Sequence, residues 1–256
     1  MTTSLEGKTA LVTGGSRSLG KKIALKLASR GADVIVTYRT SAEEAQSVVQ
    51  EVEAMGQKAR ALKVDLEGTE QIPSFVEALT DALREISGHT RLDILVNNAG
   101  IERGGVIGQV SEDDFDAIMN TNVKSVFFLT QALLGHLNDS GRIIFIGTGL
   151  SRFTLPPYIV YAASKAALTT FAQYTAKTLG DRGITANVVA PGALDTDFNR
   201  ANFEANPAIV DVIASNTALG RVGLPDDVDG VVAFLVSDDA HWITGQRIEV
   251  SGGMFL

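Results

Sequence analysis

Apolar positions along this chain keep two rhythms. Short unbroken apolar runs are separated by longer stretches in which apolar residues recur every three or four positions. Residues 9–13 form the first run, and Leu19, Ile23, Ala24 and Leu27 then repeat at helical spacing up to Gly31, a natural C-cap. The β-branched run 34–37 predicts a second strand. Ser41, Ala42, Glu43 and Glu44 open as a capping box, for a helix ending by Gly56. A third strand is expected at 59–64, a helix from near Thr69 to Ile86, and a fourth strand at 92–96. Ser111, Glu112, Asp113 and Asp114 form a second capping box, heading one long helix toward Leu137. Beyond it the pattern predicts a strand at 142–146, an alanine-rich helix around Tyr161, a strand at 184–189, a helix at 225–236 and a last strand at 247–250.

Strands written as continuous apolar runs, alternating with helices of three or more turns, predict an α/β fold. Its core is a doubly wound parallel sheet with helices on both faces. No low-complexity linker or internal repeat divides the chain, so residues 1–256 are expected to form a single domain. Residues 192–221 lie outside the rhythm. A long segment of weak periodicity between a strand and a helix predicts a substrate lid, with Phe198, Phe203, Ile209, Val210 and Ile213 available to close over an apolar group.

Composition narrows the function classes without choosing one. Of 256 residues, 45% are hydrophobic and 20% charged, and no stretch reaches the length of a membrane span. The start of the chain lacks the basic-then-apolar layout of a signal peptide, and there is no Cys for disulfides or thiolate metal sites. His89, His136 and His241 are scattered, so no metal site is expected. A net charge of −8 argues against nucleic acid as a partner. The expectation is a cytoplasmic protein acting on a small molecule.

Candidate chemistry sits where strands end. Thr13-Gly14-Gly15-Ser16-Arg17-Ser18-Leu19-Gly20 joins the first strand to the first helix, where glycines let backbone N–H groups approach a diphosphate at a helix N-terminus. Cofactor type is read at the end of the second strand. Asp33 stands at the wrong end of it, whereas Tyr38, Arg39 and Ser41, with Arg17 from the first loop, stand at the right one. Two guanidiniums without a carboxylate suit a ribose 2′-phosphate, which favours NADP(H) over NAD(H). Asn97-Asn98-Ala99-Gly100 follows the fourth strand, Asn122 lies within the next helix, and Tyr161 and Lys165 stand four apart on one helical face. A cation beside a phenol is expected to pull its pKa down toward the working range of an acid–base catalyst.

The order of these motifs resembles the short-chain dehydrogenase/reductase family over nearly the whole chain. The elements in register are a TGxxxGxG-like loop, an acidic residue after the third strand (Asp65), NNAG, a helix Asn, YxxxK and Pro191-Gly192. Ser18 departs from the family's middle glycine. The resemblance implies a Rossmann-type fold. It also implies that Tyr161 gives or takes the proton of a carbonyl–alcohol pair, that Lys165 lowers its pKa and holds the nicotinamide ribose, and that Asn122 anchors a water relay. Gly14, Ser16, Arg17, Ser18, Leu19 and Gly20 would hold the diphosphate. Asp65, Leu66, Asn98, Ala99 and Gly100 would line the adenosine, and Pro191, Gly192 and Thr196 the nicotinamide. The family's catalytic serine falls on Thr148, thirteen residues before Tyr161, with Ser151 the nearest serine; Thr148 is the preferred member.

Residues 102–105 and 152–158, Phe153, Leu155, Pro156, Pro157 and Tyr158 among them, are expected to wall the substrate pocket together with the lid. The leading expectation is an NADPH-dependent carbonyl reductase similar to the family's 3-oxoacyl-thioester reductases. The alternatives are an alcohol or sugar dehydrogenase running oxidatively, or a nucleotide-binding regulatory protein with weak chemistry. Ala162, Ala163, Ala166 and Ala167 give the Tyr161 helix a close-packing surface, and the resemblance implies a homo-oligomer, tetramer or dimer.

Overall fold

The computed structural model describes residues 4–256, without the side chains of Phe198, Ala201 and Asn202. The lid contact expected of Phe198 therefore lies outside the described residues. One parallel sheet contains β1 Thr9–Val12, β2 Asp33–Tyr38, β3 Ala59–Lys63, β4 Leu92–Asn97, β5 Leu137–Ile146, β6 Thr185–Pro191 and β7 Arg247–Val250. The strands lie in the order β3-β2-β1-β4-β5-β6-β7. The helices are α1 Ser18–Ala28, α2 Ala42–Ala54, α3 Ile72–Ser87, α4 Glu112–Met119, α5 Ser125–Leu133, α6 Ile159–Leu179, α7 Asp197–Ala205, α8 Ala208–Ser215 and α9 Asp226–Leu235.

The inner strands β1, β4 and β6 are buried along their whole length, which is why they read as largely apolar runs. Ala10 and Val12 of β1 join one core with Ile23 of α1, Val48 of α2 and Val232 of α9. Leu11, between them, joins the other core with Leu79 of α3, Leu129 of α5 and Leu168 of α6. The strand order reverses at β1, whose neighbours are β2 and β4. A crevice opens there at the carboxyl edge of the sheet, the place where ligands bind in open α/β folds.

Four local expectations differ from the structure. The long helix from Ser111 is broken into α4, a wide π turn at Asn120–Lys124, and α5. Its buried residues explain the break. Ala117, Thr121, Ser125, Leu129 and Leu133 recur every fourth position, a spacing that drifts by about 40° per step in a helix of 3.6 residues per turn. One wide turn returns the stripe to the core. Second, β5 begins at Leu137, five residues before the apolar run, because Leu137 already pairs with Leu92. Third, the segment 192–221 holds two helices, α7 and α8, in place of an irregular loop. Fourth, Ser41 precedes α2 without accepting a capping bond, whereas Ser111 accepts from the Asp114 N–H at 3.1 Å.

Candidate active site

A cavity of about 610 Å³ runs along the crevice. Arg17, Tyr38, Arg39 and Ser41 line one end, Asp65, Leu66, Asn98 and Ala99 the flank, and Thr148, Tyr161 and Lys165 the other end. Gly14, Ser16, Ser18, Leu19, Gly20, Gly100, Pro191, Gly192 and Thr196 complete the predicted contacts on its walls. The residues present fit a phosphorylated dinucleotide. Arg17, at the N-cap of α1, makes no side-chain capping bond, so the first N–H groups of the helix face the cavity uncapped. Gly20 is required for this approach, since a Cβ there would lie 2.2 Å from the Gly14 carbonyl oxygen. Arg39 is exposed and paired with Glu67 at 3.0 Å, while Asp33 accepts from the Lys58 N–H at 2.7 Å, far from the crevice.

Ser18, the departure from the glycine pattern, has φ of 50°. The backbone thus keeps the left-handed turn that glycine adopts without strain, at a cost of roughly 1–2 kcal/mol for a residue with a Cβ. Its hydroxyl donates to Asp197 Oδ2 of α7 at 3.0 Å, tying the loop to the lid segment. Thr13 has a role that the sequence does not announce. Its hydroxyl oxygen accepts from the N–H groups of Asn98 and Ala99, and the Asn98 amide donates to the carbonyls of Thr13 and Gly14. The amide of Asn98 is therefore spent bracing the glycine loop against β4.

Asn122, fully buried at the π turn, lies behind the cavity wall. It accepts from the Ile101 N–H at 2.9 Å and donates to the Ile101 carbonyl at 2.8 Å and to Ser164 Oγ at 3.0 Å. Ser164 in turn donates to the Tyr161 carbonyl. Gly100 leaves room between Asn122 and Lys165: a Cβ there would lie 3.0 Å from both Asn122 Oδ1 and Lys165 Nζ and would push those side chains by a few tenths of an ångström.

Thr148 follows β5 and its side chain is hydrogen-bonded to that of Tyr161. Ser151 is turned away, donating to the Thr148 carbonyl at 2.9 Å and accepting from Arg247 Nε at 3.0 Å. The electrostatics correct one expectation. Burial raises the Tyr161 pKa above its ordinary 10, the charge of Glu102 raises it further, and the bond from Thr148 opposes them. Burial also lowers Lys165 to about 8, and its ammonium donates to the Ile146 carbonyl at 2.9 Å. The lysine charge therefore does not win. The phenol is protonated at neutral pH, the form that can donate.

The pocket walls are more selective than expected. Phe153, Leu155, Tyr158, Phe203, Ile209 and Ile213 line the cavity, as do Val212, Met254 and Phe255, which the sequence did not single out. Val210, Pro156 and Pro157 do not. Arg152 points outward to Glu249.

Residues 14–255 match the family model described as enoyl-(acyl carrier protein) reductase. Versicolorin reductase of Emericella nidulans is 40% identical, covering 98% of this chain and 97% of its own. Among solved structures, the angucycline C-6 ketoreductase LanV with bound NADP is 41% identical, with a TM-score of 0.94 and coverage of 98% and 97%. A short-chain dehydrogenase of Burkholderia cenocepacia in complex with NADP is 44% identical, with a TM-score of 0.88 and coverage of 97% and 98%.

Proposed function

The chain belongs to the short-chain dehydrogenase/reductase family, and on that premise we propose that it is an NADPH-dependent carbonyl reductase with Tyr161 as proton donor. The observation that carries it is the gathering of Thr148, Tyr161 and Lys165 at one end of the cavity whose other end holds Arg17 and Arg39. Gly14, Ser16, Leu19 and Gly20 would hold the diphosphate of a reduced nicotinamide dinucleotide in the crevice, and that group, when bound, would supply the hydride the carbonyl carbon accepts. Thr148 and Tyr161 donate hydrogen bonds to the carbonyl oxygen, and the Tyr161 proton completes the alcohol. Lys165 and Asn122 hold this corner. Lys165 is anchored on the Ile146 carbonyl at the cavity wall, and Asn122 fixes Ile101 and Ser164 beside it.

Arg17, Arg39 and Ser41 support NADPH over NADH, and the relatives solved with NADP agree with that choice. We assign the segment 192–221 as a lid over a single catalytic domain, with Phe203, Ile209 and Ile213 facing the substrate. No helix among the described residues is long and apolar enough to cross a membrane. A cytoplasmic location is the compartment in which NADPH-driven reduction by a chain without Cys is expected. Phe127, Phe128 and Tyr174 are exposed on α5 and α6. They support assembly into a dimer or tetramer through these helices, which sedimentation tests.

The enzymatic test uses purified protein, NADPH or NADH, and a panel of cyclic ketones and 3-oxoacyl thioesters. Loss of the reduced-nicotinamide absorbance is expected with NADPH, more slowly with NADH, and not with Tyr161→Phe. NADPH that binds but is never oxidised across the panel would make the chain a nucleotide-binding protein without this chemistry.

A further inference from the structure

Near Tyr161 the cavity wall holds an ionisable group to which the proton transfer itself assigns no role. Glu102 lies in the cavity wall, and its Oε1 is buried with no hydrogen-bond partner. Burial raises its pKa, and no neighbouring cation contributes to offset that cost. The adjacent Arg103 faces outward, paired with Asp114 at 3.0 Å and Glu67 at 3.5 Å. An unsatisfied buried carboxyl group costs stability. Here the backbone also holds it in place. Asn122 fixes Ile101 through both polar atoms of its backbone, and the Gly105 N–H donates to the Pro157 carbonyl at 2.8 Å.

Glu102 therefore presents an acceptor on a rigid loop, close enough to Tyr161 for its charge to act on the phenol. The same cavity is also lined by the apolar side chains of Leu150, Phe153, Leu155 and Ile213 and by Tyr158. Only Oε1 of the half-buried carboxylate is both buried and unpartnered, so a single donor fills its need. A hydroxyl brings one donor to one acceptor. Building on the reductase reading, we infer that Glu102 is a specificity-determining residue. It receives the hydroxyl of an otherwise apolar cyclic ketone while the carbonyl lies against Tyr161 and Thr148. A site built to bond a hydroxyl discriminates strongly against the analogue without it, because the buried acceptor is then left unpaired.

The test compares 1-tetralone with its 5-, 6- and 7-hydroxy derivatives, using NADPH and measuring kcat and KM separately. The wild-type protein is expected to favour one hydroxylated isomer over the parent by at least about tenfold in kcat/KM, mainly through KM. Glu102→Leu removes the acceptor and should bring that ratio close to one. Glu102→Gln keeps a neutral acceptor and should retain part of the preference. NADPH affinity by fluorescence titration verifies that each variant is folded.

A wild-type protein that reduces all four ketones equally well overturns the inference. So does a Glu102→Leu variant that loses the same fraction of kcat on parent and hydroxylated ketones, since that marks a proton-transfer or structural role. Neither result touches the reductase reading, which fails only if the wild-type protein oxidises NADPH with no ketone of the broader panel.

Discussion

Thr148 and Ser151 show how side-chain direction decides which of two hydroxyls can act. Thr148 is bonded to Tyr161, while Ser151 is consumed by the Thr148 carbonyl and Arg247. Thr148→Val removes a donor aimed at the developing oxyanion and is expected to lower kcat by about 10²–10³ with NADPH affinity unchanged. Thr148→Ser should keep most of the activity, and Ser151→Ala nearly all of it. Steady-state kinetics on the three variants separate these outcomes. Lys165 sets a second residue-level expectation. With its pKa lowered to about 8, its ammonium is lost as pH rises through that value. The kcat/KM for reduction should therefore fall on the alkaline side with a midpoint near 8. In Lys165→Arg the charge persists to far higher pH, so the alkaline limb of the remaining activity should move up by at least about one pH unit.

Among the elements, the π turn and β7 carry the clearest consequences. Deleting Thr121 would remove the extra residue of the wide turn at Asn120–Lys124 and leave ordinary helix, with α5 still facing the core but Asn122 moved within the shortened turn. Asn122 would leave Ile101 and Ser164, so activity should be lost while circular dichroism shows the helix content retained. In β7, Glu249 bonds Arg152, Arg247 and Ser251, and these partners lower its pKa from 4.5 to about 2. A depressed carboxylate stabilises the fold above its unfolded pKa and loses that effect as pH falls through the folded one. The contribution, at most about 3 kcal/mol, is fully present above about pH 4.5 and lost toward pH 2. Glu249→Gln should lower the thermal midpoint at neutral pH and flatten the dependence of stability on pH in that window, as calorimetry would show.

These same elements mark what the sequence discloses. Strands 34–37 and 92–96 are legible because both sheet faces bury them, and Arg247–Val250 is recovered without error. The π turn is legible only in the four-residue spacing from Ala117 to Leu133, a signal hidden by its polar members Thr121 and Ser125. Helices α7 and α8 escape the pattern because residues facing a cavity need not keep to the stripe that packs a helix onto a core. Glu102 reads in the sequence as part of a wall and nothing more, since an unpartnered acceptor is a property of its surroundings and not of its sequence neighbours. The pKa of Tyr161 departs from expectation for the same reason: spacing reveals the lysine, and only the fold reveals the burial.

For the whole molecule, cofactor binding is a stability measurement. A ligand at about one hundred times its Kd stabilises the native state by about 2.7 kcal/mol. In a chain of this length that is a rise of roughly 5–10 °C in Tm. NADPH is expected to raise Tm more than NADH at equal concentration, and the paired change of Arg17 and Arg39 to alanine should erase the difference.

The strand order carries a further consequence, one that concerns synthesis. β1 is flanked by β2 and by β4, and β4 in turn waits for β5. A nascent chain therefore holds its central apolar strand with one edge open until Leu92–Asn97 has emerged, and that strand is in turn an open edge until Leu137–Ile146 is made. The glycine loop is made early, but Tyr161 and Lys165 come from beyond that point. Ribosome-bound fragments ending before β5 should aggregate or recruit chaperones, and a chain cut between the two halves should regain activity only when both pieces are present together.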